Sequence, residues 1–267
     1  MGKEVKMKVV ILAGGLGTRL GEETIVKPKP MVEIGGYPIL WHIMKGFSAQ
    51  GFNEFIICAG YKQHLIKQYF ADYFLHTADV TFDFTHGQNT MTVHHNTVEP
   101  WKVTVVDTGY ATMTGGRIKR IREHLENGTF LLTYGDGVSD VDINALLRFH
   151  KAQGKTVTIS AYNAGQRFGI LEIAEDGTVL SMREKAKGDG NLINIGFMAC
   201  EPALLDRIEG DETMLEREPF STLAANGELA ARCHDGFWQC MDTMRERTLL
   251  ESMWASGEAP WKTWNDR

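Results

Sequence analysis

The sequence predicts a doubly wound α/β domain, and three observations carry that expectation. Lys8–Ala13 (KVVILA) and Phe55–Ala59 (FIICA) are short apolar runs of the kind that forms strands buried on both faces. Each is followed by a segment of helical period. The resulting order of strand, helix, strand, helix calls for parallel neighbours joined by right-handed crossovers.

The elements follow in order. After Ala13 the chain enters Gly14-Gly15 and a polar stretch. Lys27-Pro28-Lys29-Pro30 is expected to be extended, because alternate prolines disfavour a helix. Ile39, Ile43 and Phe47, with Leu40 and Met44 beside them, mark a helix from Pro38 to Gln50, with Gly51 just past its end. Leu65, Tyr69 and Tyr73 mark the next. Val80–Phe84 and Met91–His95 form a hairpin around His86-Gly87-Gln88-Asn89. Val103–Asp107 is a strand, Gly116–Leu125 a helix, and Phe130–Tyr134 a strand that stops at Gly135-Asp136-Gly137. Asp142 caps the helix of Ile143, Leu146 and Leu147. Thr156–Ala161 is a strand. Ile170–Ile173 and Thr178–Met182 flank the turn signal Glu175-Asp176-Gly177. Ile193–Ala199 reads as one strand and Pro202–Ile208 as a helix. A helix over Glu218 to Ala225, extended chain over 229–242 and a helix over Met244–Ala255 come last. The hairpins make the sheet mixed and Rossmann-like, with small inserted β segments. Residues 1–7 read as an extension and 8–267 as a single domain.

Composition narrows the class. Hydrophobic residues are 43% and charged residues 23% of 267 positions, which excludes a disordered chain. A net charge of −6 disfavours a nucleic-acid partner. No apolar run is long enough to span a bilayer, so no membrane partner is expected. Cys58, Cys200, Cys233 and Cys240 contain no CxxC pair, and we expect free thiols in a reducing cytoplasm.

Three motifs carry chemistry. The first is Leu12-Ala13-Gly14-Gly15-Leu16-Gly17-Thr18-Arg19. Glycines at the end of a strand let backbone N–H groups approach phosphate oxygens, and Arg19 adds a cation. The run matches neither the P-loop pattern nor GxGxxG, because Leu20 stands at the third glycine. The second motif is KPKP, whose Lys29 could neutralise charge on a reacting phosphoryl group; a solvated loop is the alternative. The third is Tyr134-Gly135-Asp136-Gly137. A carboxylate at a strand end suits a hard divalent ion, and an ordinary turn is the alternative. Asp242, just before the last helix, could be a second metal carboxylate or merely its N-cap. His94-His95 with Glu99 makes a poor metal site, since adjacent strand residues face opposite ways. Cys233, His234 and Cys240 lack the spacing of a zinc site. Ser139 and Ser160 lack a nucleophile-elbow setting.

GGLGTRL followed by KPKPMVEIGGYPIL resembles the signature of the sugar nucleotidyltransferase family. Glu99-Pro100-Trp101, Val106-Asp107-Thr108-Gly109, Met113-Thr114-Gly115-Gly116-Arg117 and Pro260-Trp261-Lys262-Thr263-Trp264 are similar to its cytidylyl-transferring members. The likeness runs from about Lys8 to Trp264. It implies the nucleotide-diphospho-sugar transferase fold, CTP and glucose 1-phosphate as substrates, and Mg²⁺ as cofactor. It also implies a homo-oligomer that makes CDP-glucose for deoxysugars of surface polysaccharide. By the same resemblance Leu12, Ala13, Gly14, Gly15, Gly17, Thr18, Thr112, Arg117 and Gly135 hold the nucleotide. Arg19 and Lys29 face its phosphates, and Asp136 and Asp242 bind the metal. Gly169, Glu184, Lys185 and Asn194 receive the sugar phosphate. Arg19, Lys29, Asp136 and Lys185 form the catalytic set. The family's E-K-P-K-G reads Glu184-Lys185-Ala186-Lys187-Gly188 here, a less rigid loop. The competing readings are a thymidylyl- or uridylyltransferase, a non-catalytic sugar-nucleotide sensor and a nicotinamide-dependent reductase.

Overall fold

The computed structural model describes residues 7–87, 89–95, 98–126, 128–163, 170–183 and 192–265. β1 (Lys8–Ala13) leads through a 3₁₀ turn at Thr18–Leu20 and the short helix α1 (Glu22–Val26) to a second 3₁₀ turn at Lys29–Met31. β2 (Glu33–Ile34) and β3 (Tyr37–Pro38) precede α2 (Ile39–Ala49) and β4 (Glu54–Ala59). Then come α3 (Gln63–Ala71), β5 (Asp79–Asp83), β6 (Thr90–His94), β7 (Lys102–Asp107), α4 (Thr114–Arg120) and β8 (Phe130–Tyr134). β9 (Gly137–Ser139), α5 (Ile143–Gln153), β10 (Val157–Asn163), β11 (Ile170–Ile173), β12 (Val179–Arg183), β13 (Leu192–Asn194) and β14 (Met198–Cys200) continue the chain. α6 (Glu218–Ala225), β15 (Leu229–His234), β16 (Trp238–Cys240) and α7 (Met244–Ala255) come last.

β1 pairs in parallel with β4 on one side and β8 on the other, and β7 lies beyond β4. β14 runs antiparallel to both β8 and β10, and β15 pairs in parallel with β10. The sheet is therefore mixed. The chain moves outward from β1 through β4 to β7, then returns to the opposite flank of β1 as β8. That reversal opens a crevice beyond the carboxyl ends of β1 and β8, the place where open α/β sheets bind ligands.

The two-residue period of β1 explains its place at the centre. Val9, Ile11 and Ala13 pack with Ile39, Phe47 and Phe55 on one face. Val10 and Leu12 pack with Ile118, Phe130 and Phe220 on the other. Each large side chain so buried stabilises the fold by about 1.5–3 kcal/mol. Asp142 caps α5 as expected, accepting from the Ala145 N–H at 2.7 Å.

Several local expectations need correction. The KPKP segment is extended only through Pro28; Lys29–Met31 closes a 3₁₀ turn, with Val32 N–H donating to the Lys29 carbonyl. Proline at the second position of such a turn costs no hydrogen bond. The polar stretch before it holds α1, too short for a periodic signal. The strand expected over Ile193–Ala199 is broken into β13 and β14, which pair with the same neighbour. Gly196 and Phe197 take positive φ there, 78° and 52°. Ser160 Oγ donates to the Phe197 carbonyl at 2.8 Å and holds the bend. The helix expected over 116–125 ends as α4 at Arg120, with a 3₁₀ turn at Arg122–His124. Pro202–Arg207 is also 3₁₀.

The PWKTW motif near the end of the chain proves structural. Trp261 is 1% exposed and its indole N–H donates to His42 Nδ1 at 3.3 Å. His42 Nε2 donates to the Ile34 carbonyl at 2.8 Å, so both ring nitrogens are committed in the neutral form. Burial lowers the His42 pKa to about 4. The unfolded chain, with its histidine near 6.5, binds the extra proton between those values. Stability is therefore lost as pH falls from 6.5 toward 4, by about 3 kcal/mol in all. Urea unfolding across that range should show this slope in the wild type and lack it in His42→Asn; parallel slopes would refute the assignment.

Candidate active site

A cleft of about 620 Å³ opens at the carboxyl ends of β1 and β8. Its walls include Leu12, Ala13, Gly14, Gly15, Gly17, Thr18, Arg19, Lys29, Thr112, Arg117, Gly135 and Asp136. Gly17 has φ 66°, and a Cβ there would lie 2.9 Å from Lys29 Cβ. This position thus needs glycine for conformation and for space, and it sets the lysine directly behind the loop.

Lys29 is 8% exposed. Its ammonium donates to Asp136 Oδ2 at 2.6 Å and to Asp242 Oδ1 at 2.5 Å. Burial pulls its pKa down, but the two carboxylates outweigh burial and hold it above the ordinary lysine value. The lysine therefore stays cationic. Arg19 Nη1 reaches Asp242 Oδ2 at 2.7 Å, from a side chain 71% exposed. Water weakens such a pair to at most about 1 kcal/mol, so Arg19 can turn toward an incoming anion.

The two acids meet because of a ladder that sequence reading missed. β9 and β16 pair antiparallel, with Gly137 opposite Cys240. The next rung is the Met241 N–H donating to the Asp136 carbonyl at 2.8 Å. Asp136 and Asp242 leave the same end of this ladder. Asp242 is not the N-cap of α7. Thr243 is the cap, in a reciprocal capping box with Glu246. Glu246 Oε2 accepts from the Asp242 and Thr243 N–H groups, both at 2.8 Å. The Asp242 side chain is left to Lys29 and Arg19, and Thr243-Met244-Arg245-Glu246 is the T-x-x-E pattern that marks such a box.

Arg117 lies in the wall in an unexpected role. Its guanidinium donates to the carbonyls of Gly14, Ala59, Gly109 and Tyr110 and to Thr108 Oγ1, at 2.7–3.4 Å. Those partners occupy both terminal nitrogens, so Arg117 holds the backbone around this wall of the cleft. A Cβ on Gly14 would lie 2.1 Å from Arg117 Nη1. Tyr110, and Met113, Thr114 and Tyr134, which the sequence motifs contain but to which no role was given, also line the cleft. On the far side of Tyr134, Asn194 Nδ2 approaches the phenol oxygen at 3.4 Å. Gly169, Glu184 and Lys185 lie outside the described residues.

The sequence matches the profile of the nucleotidyl transferase family over residues 8–243. The chain belongs to that family. Among relatives of this nucleotidyl transferase is the glucose-1-phosphate cytidylyltransferase of Salmonella typhi, 59% identical over 97% of this chain and 100% of the relative. Two solved structures share the fold. One is HddC from Yersinia pseudotuberculosis (TM-score 0.72, 24% identity, 93% of this chain and 99% of that one). The other is apo UDP-glucose pyrophosphorylase (TM-score 0.75, 15% identity, 94% of this chain and 98% of that one).

The donor set can hold a divalent cation. Two carboxylates face one position that an ammonium now fills, which shows that the place accepts positive charge. Among the described residues no group of three or more His, Cys, Asp or Glu side chains converges as a metal cage. Two carboxylates with water and substrate oxygens suit Mg²⁺ better than zinc. Among the described residues no helix is long and apolar enough to cross a membrane.

Proposed function

We propose that this protein transfers the cytidylyl group of CTP to glucose 1-phosphate, forming CDP-glucose and releasing pyrophosphate. The meeting of Asp136, Asp242 and Lys29 beside the glycine loop supports the chemistry. The choice of base and sugar rests on the likeness to the Salmonella typhi relative, which spans that relative's full length.

In this reading, N–H groups of the loop from Leu12 to Thr18, with Gly135, cradle the phosphates of CTP. Arg19 turns to the phosphates that will leave, and Lys29 to the one that reacts. A phosphate oxygen of glucose 1-phosphate attacks the α-phosphorus in line, and the bond from that phosphorus to the departing pyrophosphate breaks. The attacking oxygen is already anionic near neutral pH, so no side chain needs to remove a proton. Catalysis then rests on alignment and on stabilising spread negative charge. Asp136 and Asp242 would hold Mg²⁺, which when bound supplies further positive charge to the phosphate oxygens. Glu184, Asn194 and Gly169 receive the sugar and Lys185 its phosphate. The four cysteines carry free thiols, in keeping with a cytoplasmic enzyme.

Pyrophosphate release from CTP, dTTP, UTP and GTP, each with glucose 1-phosphate and Mg²⁺, tests the reading. CTP should be the preferred substrate. A faster rate with another nucleotide would transfer the proposal to that base, and nucleotide binding without turnover would favour a sensor.

Self-association belongs to the same proposal. The hairpin of β5 and β6 leaves Phe82, Phe84, Met91 and Val93 exposed, with the two phenylalanine rings stacked at 6.4 Å. An apolar patch of this kind marks a contact surface. Light scattering after gel filtration should give an oligomer for the wild type and a smaller species for the Phe82→Ser/Phe84→Ser variant. A monomeric wild type would sink this part.

A further inference from the structure

We propose that Glu216 is a positioning residue that fixes the sugar side of the cleft by holding Tyr134. This rests on the functional reading above, in which Asn194 receives the sugar. The observation behind it is a docked loop. The stretch from Gly210 to Arg217 lies edge-on against the start of α4. Met113 N–H donates to the Asp211 carbonyl at 2.8 Å, Gly115 N–H to the Thr213 carbonyl at 2.9 Å, and Leu215 N–H to Thr114 Oγ1 at 2.9 Å. A Cβ on Gly115 would come 2.8 Å from the Thr213 oxygen, and one on Gly116 2.5 Å from Asp211 Cα. The paired glycines of the TGGR motif therefore serve this docking. Leu215 anchors the loop in the core at 0% exposure.

Docking sets the next residue, Glu216, between two groups of the cleft wall. One carboxylate oxygen accepts from the Thr114 hydroxyl at 2.7 Å, the other from the Tyr134 hydroxyl at 2.8 Å. Both donors line the cleft. Tyr134 immediately precedes Gly135-Asp136, and its oxygen in turn takes the Asn194 amide at 3.4 Å. Asn194 Oδ1 accepts from the Gly196 N–H at 2.9 Å. A carboxylate can only accept, so the phenol is the donor in the Tyr134–Glu216 bond. Its proton points at Glu216, which leaves its lone pairs to the Asn194 amide.

Without the carboxylate that order is lost. The phenol proton must turn elsewhere, and the Asn194 amide loses a fixed acceptor. Thr114 keeps its bond from Leu215, so the nucleotide wall should be little disturbed. The predicted signature is therefore a split between the two substrates.

Steady-state kinetics of Glu216→Ala, Glu216→Gln, Tyr134→Phe and the Tyr134→Phe/Glu216→Ala double variant test this, varying glucose 1-phosphate and CTP in turn. Glu216→Ala should raise KM for glucose 1-phosphate about tenfold, the scale of one hydrogen bond to a charged group, and leave KM for CTP within about twofold. Glu216→Gln keeps a carbonyl acceptor and should recover most of the loss. Tyr134→Phe should match Glu216→Ala, and the double variant should add nothing further. If Glu216→Ala fails to fold, Tyr134→Phe and Glu216→Gln still carry the test. An unchanged KM for the sugar phosphate, a rise shared equally with CTP, or additive losses in the double variant would overturn the assignment. A wild type that makes no CDP-glucose overturns the functional reading, and this inference with it.

Discussion

Replacing Asp136 or Asp242 by alanine is expected to lower turnover by about a thousandfold or more, while the protein stays folded. Groups that stabilise developing charge in an active site are each worth about that much. Either single variant leaves Lys29 with one carboxylate partner, so the fold should tolerate it. The double variant differs. It strands a buried ammonium, at a cost of about 3–5 kcal/mol. Its activity loss should be far less than the product of the single losses, because the two acids act as one unit. Pyrophosphate release together with thermal melting separates these effects. A near-normal rate in either single variant would remove the metal assignment.

Arg117→Met should destabilise the scaffold. Arg117 is 5% exposed, and its guanidinium binds four backbone carbonyls and one hydroxyl. Removing it takes the donor from the partly buried Gly109 and Tyr110 carbonyls, while the Gly14 and Ala59 carbonyls keep the Tyr61 and Thr108 N–H groups, for a loss of about 2–3 kcal/mol. Activity should fall with it, because the Gly14 carbonyl is one of the tethered groups. Arg117→Lys should not rescue, since one ammonium cannot reach partners that the planar fork spans. Urea unfolding measures the first effect; a loss below about 1 kcal/mol would contradict the role.

Much of this was legible in the chain. The unbroken apolar run of β1 and the four-residue period of α2 are local signals, and both elements formed close to where expected. So did the last helix, whose bounds match at Met244 and Ala255. The glycine loop and Asp136 were visible as motifs because each follows a strand end, and Lys29 because prolines flank it. What was not legible depends on distant partners. The break between β13 and β14 answers to Ser160 on a neighbouring strand. That Arg117 tethers the backbone shows only once the Gly14 and Gly109 carbonyls are in place. Glu216 carried no motif, because its importance comes from a loop folding onto α4. Thr243 was different: its capping box was written locally and would have freed Asp242 from the cap role.

The short ladder of β9 and β16 has a consequence for the order in which the protein comes of age. One strand is made long before the other, with Asp242 just after the second. A growing chain can assemble the phosphate loop, β8 and Asp136 yet hold only half of its carboxylate pair. Competence should arrive late and abruptly, with the last strand and the helix that follows. A ribosome-bound chain halted before Trp238 should accordingly be inert.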